Sequence, residues 1–522
     1  MMNIIKFIVA AFLSVALTVS FSGCNHNGSL SKDGEIVLAA SRDLVPGPGD
    51  GYFVSSILKV WEPLVAVTND GKAAPCLAES WEANDRKDEW TFHLRKGVIF
   101  QDGSPFNAEA VRLNFERYRN MGTRSSSFYI FSLGRFYPGL DKVEVVDDST
   151  IRLHFEKPFP MLIYRMAGWG SAMYSPSCFD PSTGDFTGMA IGTGPFRILE
   201  YVPDSHAVIE RFDGYHGEKA KAERIRIITI PSVDTRYSAM RAGEIQGVLD
   251  LGGLTPQMAM ELKKTGDFRI HAEHSTISHY LSVNGGRFPF QDERMRKAIN
   301  LAIDRNKIAR YYFCGFATPT RSFLNSTNPF GRAVAPIYDP AEARRLVQEA
   351  SGGKPVEVKF LLPQDTSSRY PYKEVTEFIQ AELKDVGINM NIVMADYLTS
   401  RKMMKAGDYD LSIGIRGMAN LDPTLLLQDF FQTGGATNKA SHFMYSNPQV
   451  DADFKALETA YSVDERKGYY DDIIEELLDH PAIVPLVEDE NIAVSSKKIA
   501  GYDAAVYGVT LDKVHWVKEG EE

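Results

Sequence analysis

The stretch that most constrains the fold runs from residue 355 to residue 396. "PVEVKFLLPQ" reads as a strand, "YKEVTEFIQAELKDVGI" as a helix and "NMNIVMAD" as a second strand. Strands joined through a helix are parallel neighbours, and the crossover helix must cover one face of their sheet. This region is therefore an α/β domain with a parallel core. Upstream, "SHYLSVNGGRFPFQDERMRKAINLAIDRNKIARYYF" gives a strand, a loop and a strongly amphipathic helix. Downstream, "VDERKGYYDDIIEELLDH" gives another helix.

The N-terminal third has shorter and more mixed elements. "GEIVLAAS" from Gly34 is a first strand. "YFVSSILKVWEPLVAV" spaces Phe53, Ile57, Val60 and Trp61 with a helical period, which predicts a helix. Trp90, Phe92 and Leu94 alternate like a strand, "DGSPF" is a turn, and Asn107 is placed to cap a helix over "AEAVRLNFERY". "VEVVDDSTIRLHFEKPF" predicts a hairpin turning at "DDS". Up to about Pro181 this pattern fits a small α+β unit. "GTGP" (192–195) lacks the lysine of a phosphate loop, and Pro195 has no N–H, so it predicts a tight turn. "DTRYSAMRAGEIQGVLD" predicts a helix from Thr235 to Gly243 and then a strand.

At 522 residues the chain is long enough for more than one domain, and its 44% hydrophobic and 24% charged residues are ordinary for a soluble globular protein. Its net charge of −11 gives nothing to phosphate neutralisation, so nucleic acid is not an expected partner. No HExxH, GxSxG or EF-hand pattern occurs. The histidines of "HAEHSTISHY" (His271, His274, His279) do not encode a three-ligand site: on a strand His271 and His279 share a face and His274 takes the other. No nucleophile–base pair stands out, and the chain is not expected to be an enzyme.

"MMNIIKFIVAAFLSVALTVSFSGCN" has one lysine, Lys6, and then an apolar run from Phe7 to Phe21. That is the layout of a secretory leader, and "FSGC" resembles a bacterial lipobox in which Cys24 is lipidated. Residues 1–24 are then a lipoprotein signal peptide and 25–34 a polar tether; an ordinary secretory signal and an N-terminal anchor are the alternatives. Three further cysteines, Cys76, Cys178 and Cys314, form no CxxC or metal spacing, and both a disulfide and free thiols stay open.

From Trp61 to about Val494 the chain resembles the extracytoplasmic solute-binding proteins of peptide and nickel ABC importers (family 5). The stretches carrying the resemblance are "WEPLV", "LAESWEAN", "WTFHLRKGVIFQDGSPFNAEAV", "IGTGPFRILEY", "IPSVDTRYSAMRAGEI" and "ERMRKAINLAIDRNKI". The resemblance implies an α/β, two-lobed periplasmic-binding-protein fold (type II, cluster C like), with an extra α+β subdomain on the N-terminal lobe. It places lobe I at 35–69, 186–275 and 488–522, the subdomain at 70–185, and lobe II at 276–487. It implies capture of a small-molecule ligand by lobe closure and delivery to a membrane permease, by a monomer held to the membrane by its lipid, outside the cytoplasm. No intrinsic cofactor is implied.

The ligand question centres on "YDLSIGIRGMANLDP" (409–423). Peptide-binding members hold the peptide's amino terminus with an acidic residue near such a "DP"; here the preceding segment offers a cation and an amide, Arg416 and Asn420. Neither Asp410 nor Asp422 has a spacing that pairs with Arg416 along a strand. Nickel-type members set arginines against the carboxylates of a chelator and wall it with aromatic rings. On that resemblance Arg416, Arg124 and Arg165 are the expected carboxylate contacts. Tyr52, Phe128 (or Tyr129) and Trp169 are the expected walls. The histidine some of those members offer to the metal has no clear counterpart, since "QTGGATN" stands there; His442, several residues later, is the one candidate for the metal. The expected cargo is nickel on a small carboxylate chelator such as histidine, with a di- or oligopeptide as the alternative.

Overall fold

Two long antiparallel strands, Phe268–Val283 and Ile483–Ser496, tie the molecule together. They belong to a computed structural model describing residues 34–46, 56–68, 71–122, 124–125, 130–131, 133–167, 171–250, 252–364, 370–418, 421–506, 508–518 and 520. At about 3.3 Å per residue such strands reach from one lobe into the other.

At one end of the pair, Ser495 meets Gly247 of the short strand Gly247–Val248. Beyond it lie Ile36–Ala40, Arg224–Thr229, His206–Arg211 and Phe196–Val202, in that order. At the other end, the 268–283 strand pairs with Leu411–Gly417, followed by Val356–Pro363 and Ile388–Ala395. Val356–Pro363 is parallel to both of its neighbours, as the strand–helix–strand sequence requires. Helix Tyr372–Asp385 makes the crossover and buries Val375, Ile379 and Leu383.

Between His274 and Ser278 the register of the long pair shifts. This bulge breaks the alternation on which His271 and His279 share a face. His271 Nδ1 accepts from the backbone N–H of Ala504 at 3.0 Å near the surface. His279, 1% exposed, lies against Tyr372 Oη at 2.5 Å and Asp489 Oδ2 at 3.3 Å.

The α+β unit is a four-stranded antiparallel sheet, Ala78–Ala83, Glu89–Leu94, Thr150–Phe155 and Leu140–Asp147 in spatial order, with helix Ala108–Asn120 against it. Asn107 caps that helix by accepting from Ala110 N at 3.0 Å. The predicted helix over 53–61 is not found where the chain is described. Ser56–Leu58 is a single 3₁₀ turn, followed by the short strands Glu62–Pro63 and Val65–Val67. Val60, Trp61, Leu64 and Val65 are all buried, so the apolar spacing records burial on every side and not one helical face. Pro63 also lacks the N–H that a helix interior needs.

One hydrophobic cluster runs from the subdomain (Phe92, Phe115, Met166) into the second lobe (Phe323, Leu421, Phe430), so the two are in contact. Each side chain buried there contributes on the order of 1.5–3 kcal/mol relative to exposure.

Candidate ligand-binding site

The site starts from the alternation of one strand. Leu411 and Ile413 are buried in the second-lobe core with Ile415 packed on it, so Ser412, Gly414 and Arg416 face the other way. On that face Gly414 has no room for a side chain: a Cβ would fall 2.8 Å from the Tyr280 ring. Arg416 pairs through its backbone with Ser278. Its guanidinium lies over Phe430 at 5.5 Å from the ring centroid, a cation–π contact. Phe430 itself packs on Phe323 (4.7 Å) and Tyr280 (5.9 Å). Burial raises the Tyr280 hydroxyl, and the Arg416 charge opposes that rise. Among the described residues no carboxylate forms an ion pair with Arg416. Asp410 instead accepts from Lys359 N at 2.7 Å, with Arg287 at 3.3 Å.

Asp422 is committed to Arg165, which reaches it from the subdomain helix Leu162–Met166. Both side chains are buried, 2% and 4% exposed. Arg165 Nη1 also donates to Arg135 O (3.1 Å) and Phe136 O (3.4 Å). Asp422 Oδ1 accepts from Thr424 N (3.0 Å) and Thr424 Oγ1 (2.5 Å). Arg466 donates to Thr424 Oγ1 and Tyr470 Oη, both at 3.1 Å. Burial alone raises the Asp422 carboxyl, but the Arg165 charge and the Thr424 hydroxyl outweigh it and hold it below the ordinary carboxylate value. A second, more exposed pair spans the same contact, Arg135 Nη2 to Asp429 Oδ2 at 2.6 Å.

The profile of the bacterial extracellular solute-binding proteins, family 5 Middle, matches residues 72–438. The chain belongs to this family. It is a substrate-binding protein of an ABC transporter, extracytoplasmic, and not an enzyme. It is 27% identical over 456 residues to the glutathione-binding protein GsiB of Salmonella choleraesuis (strain SC-B67), covering 85% of this chain and 86% of that one. A solved ABC transporter substrate-binding protein from Sinorhizobium meliloti is 26% identical with a TM-score of 0.76, covering 93% of this chain and 100% of that one. NikA from Brucella suis, solved with Fe(III)-EDTA, has a TM-score of 0.80 at 24% identity, covering 93% and 100%. These likenesses carry the two-lobed α/β fold.

Of the expected contacts in this family 5 protein, the side chains of Arg416, Arg165 and His442 are described. Arg416 stands over the Phe430 ring, on the strand face it shares with Ser412 and Gly414. Arg165, expected to meet a ligand, spends its guanidinium on Asp422 while the lobes are together. Arg124 lies in the short strand Arg124–Ser125, paired with Ile130–Phe131, and its side chain is outside the description. Tyr52, Phe128, Trp169, Asn420 and Cys24 lie outside the described residues. His442 is not at the Arg416 end. Its Nε2 lies 3.0 Å from Lys405 O and its ring packs over Gly407, at the opposite end of the strand Leu411–Gly417. Among the described residues no group of three or more His, Cys, Asp or Glu side chains is placed to hold a metal ion.

Sequence reasoning missed Tyr280 and Phe430 as the aromatic surroundings of Arg416. Tyr280 was within reach, since it alternates with Ser278 and Ser282 on the strand. Phe430 was not, because "LLLQDFF" gives no hint of which ring turns inward.

Proposed function

We propose that this protein captures a small carboxylate-bearing solute between its lobes. The first reading is nickel, or another metal, on a chelator such as histidine. Arg416 carries this reading. It is a half-buried guanidinium with no ion pair among the described residues, backed by the Phe430 ring. A cation left partly desolvated is costly, and a ligand carboxylate supplies the missing partner in bidentate geometry. The engagement of Asp422 by Arg165 adds support: that carboxylate is unavailable to a peptide's ammonium group. With no metal-ligating cluster among the described residues, the chelator itself supplies the metal's ligands in this reading.

The second reading is a short peptide of glutathione's kind. The relatives at 27% identity that are named for glutathione favour it, since glutathione also presents two carboxylates. Thermal-shift titration of soluble protein starting at Asn25 tests both. Nickel with histidine, nickel alone, glutathione and a dipeptide pool are the probes. A ligand at a hundred times its Kd adds about 2.7 kcal/mol of stability. Stabilisation by nickel plus histidine alone supports the first reading, and stabilisation by glutathione or peptides alone replaces it with the second.

In the same reading Cys24 carries a lipid that keeps the binder beside its permease, and the protein works as a monomer. Cys24→Ala would then leave the membrane fraction with affinity unchanged; retention in the membrane points to an uncleaved anchor.

A further inference from the structure

A cavity of about 340 Å³ lies between helices Glu293–Ala302, Pro340–Ser351 and Val463–Asp479. Its walls include Leu301, Leu346, Leu427, Phe431, Ile474 and Leu478. An apolar cavity of roughly 150 Å³ is enough to bind benzene, so this one has room for a longer apolar group.

Its charged lining is two basic side chains, Lys297 and Arg321, and two acidic ones, Glu342 and Asp479. Of the charged side chains in the lining, Lys297 is paired with Glu293 at 2.6 Å, and Glu342 accepts from Arg345 at 2.7 Å. Asp479 is exposed to solvent. Arg321 is half-buried, and among the described residues its guanidinium makes one hydrogen bond, Nε to Ala335 O at 3.1 Å, and no ion pair. Behind the wall sits Arg305, fully buried. Its guanidinium donates only to carbonyl oxygens: Pro485 O (2.7 Å), Asn300 O and Asn300 Oδ1 (both 2.8 Å), and more distantly Ile303 O (3.4 Å). Pro485 and Asn300 are themselves cavity residues. One guanidinium, that of Arg321, thus lines the cavity, and a second, that of Arg305, lies behind its wall; neither forms an ion pair among the described residues. Burial pushes Arg305 down to about 9, with Arg321 adding to it, and burial lowers Arg321 too despite Glu475 and Asp479 nearby. Buried positive charge of this kind is relieved by an anion.

We propose that this cavity is a second ligand site, separate from the interlobe site, that takes a monocarboxylate with an apolar tail of medium length. The carboxylate sits on Arg321, and the tail lies along Leu346, Leu427 and Phe431. The preference for an acid over an alcohol of the same length follows from the Arg321 guanidinium, which lines the cavity with no ion pair among the described residues.

Calorimetric titration of the soluble protein with octanoate, octanol and octylamine tests this, in wild type, Arg321→Gln, Leu346→Trp and Arg416→Gln. Octanoate is expected to bind saturably, at least tenfold tighter than octanol, with octylamine weakest. Arg321→Gln should remove that tenfold advantage, and Leu346→Trp, which fills the cavity, should abolish binding of all three. Arg416→Gln should leave octanoate binding unchanged. Loss of octanoate binding in Arg416→Gln but not in Arg321→Gln would put the acid in the interlobe site and overturn the proposal. So would full octanoate binding in Leu346→Trp, or the absence of saturable binding in wild type. Should Arg321→Gln fail to fold, Leu346→Trp and Arg416→Gln still decide between the two locations.

Discussion

Arg165 and Asp422 stand 257 residues apart in sequence and form a buried ion pair across the contact between subdomain and second lobe. The pair exists only while those parts touch. Removing one partner of a buried pair costs about 3–5 kcal/mol, because the other is left as an uncompensated charge. Here the molecule has an escape: opening the lobes hydrates the orphaned side chain. Asp422→Asn is therefore expected to shift the population toward open forms. A larger radius of gyration in small-angle scattering and at least tenfold weaker ligand binding are the readouts. An unchanged scattering profile would mean the pair does not govern closure.

The same pair fixes a pH dependence. The folded Asp422 carboxyl lies below its unfolded value, so its contribution is fully present above the unfolded value of about 3.9 and is lost as pH falls from there through the folded one. Acid denaturation of wild type should show a limb below about pH 4 that is shallower in Asp422→Asn. Equal limbs would assign that acid sensitivity to other carboxylates.

Arg416 makes the opposite prediction, a large effect on binding with a small one on folding. Its one described side-chain contact beyond the backbone is the ring of Phe430, worth about 0.5–1 kcal/mol at a partly exposed site. Arg416→Ala should lower stability by no more than that. Its ligand affinity should fall more than about tenfold, or 1.4 kcal/mol, because a bidentate contact is lost. Arg416→Lys keeps the charge without the fork and should recover only part. An unchanged Kd in Arg416→Ala would remove it from the site.

Local signals were legible where one residue decides one feature. Asn107 caps its helix, and Gly243 ends the helix Val233–Ala242 with φ +75°, although that helix starts two residues before the expected Thr235. The hairpin over 140–155 and the parallel unit over 356–395 follow from alternation and connection order. What stayed hidden is long-range. A sequence shows that Arg416 has no partner along its strand, but not that Arg165 reaches Asp422. The bulge after His274 has no signature in "HAEHSTISHY", because it answers to pairing with a strand some 200 residues later. The helical spacing over 53–61 does not hold at its described end because Leu58, Val60 and Trp61 are all buried, and periodicity reports a face only when another face is wet.

The three described cysteines are free thiols, and their surroundings set an order of reactivity. Cys76 lines a first-lobe cavity of about 320 Å³, so reagents can approach it. Burial, with the Glu62 carboxylate 3.9 Å from its sulfur, nonetheless pushes its thiol up to about 12. Burial takes Cys178 to about 11. At pH 8 the thiolate fraction of Cys76 is about 10⁻⁴, and the thiolate is what alkylates. Iodoacetamide on the native protein should modify Cys314 first and Cys76 and Cys178 only after denaturation. Peptide mapping showing early Cys76 labelling would contradict its placement beside Glu62.

The "GTGP" turn offers a test of packing, with a built-in control. A Cβ on Gly192 would lie 2.2 Å from Val60 O and 2.9 Å from Trp61 Cα, backbone atoms that cannot swing aside. The turn is also stitched from the subdomain side: Gln101 Oε1 accepts from Gly192 N at 3.0 Å, and its Nε2 donates to Val60 O at 2.9 Å and Phe196 O at 2.7 Å. Any shift that relieves the clash breaks these bonds. Gly192→Ala is therefore expected to destabilise by about 2–4 kcal/mol, the range of overpacking added to lost hydrogen bonds. Gly188, four residues earlier, has nothing within 4 Å of an added Cβ. Gly188→Ala should stay within about 0.5 kcal/mol of wild type. Urea unfolding of the pair is the measurement. Equal midpoints for the two variants would show that the 192–195 turn tolerates movement away from the Val60–Trp61 backbone.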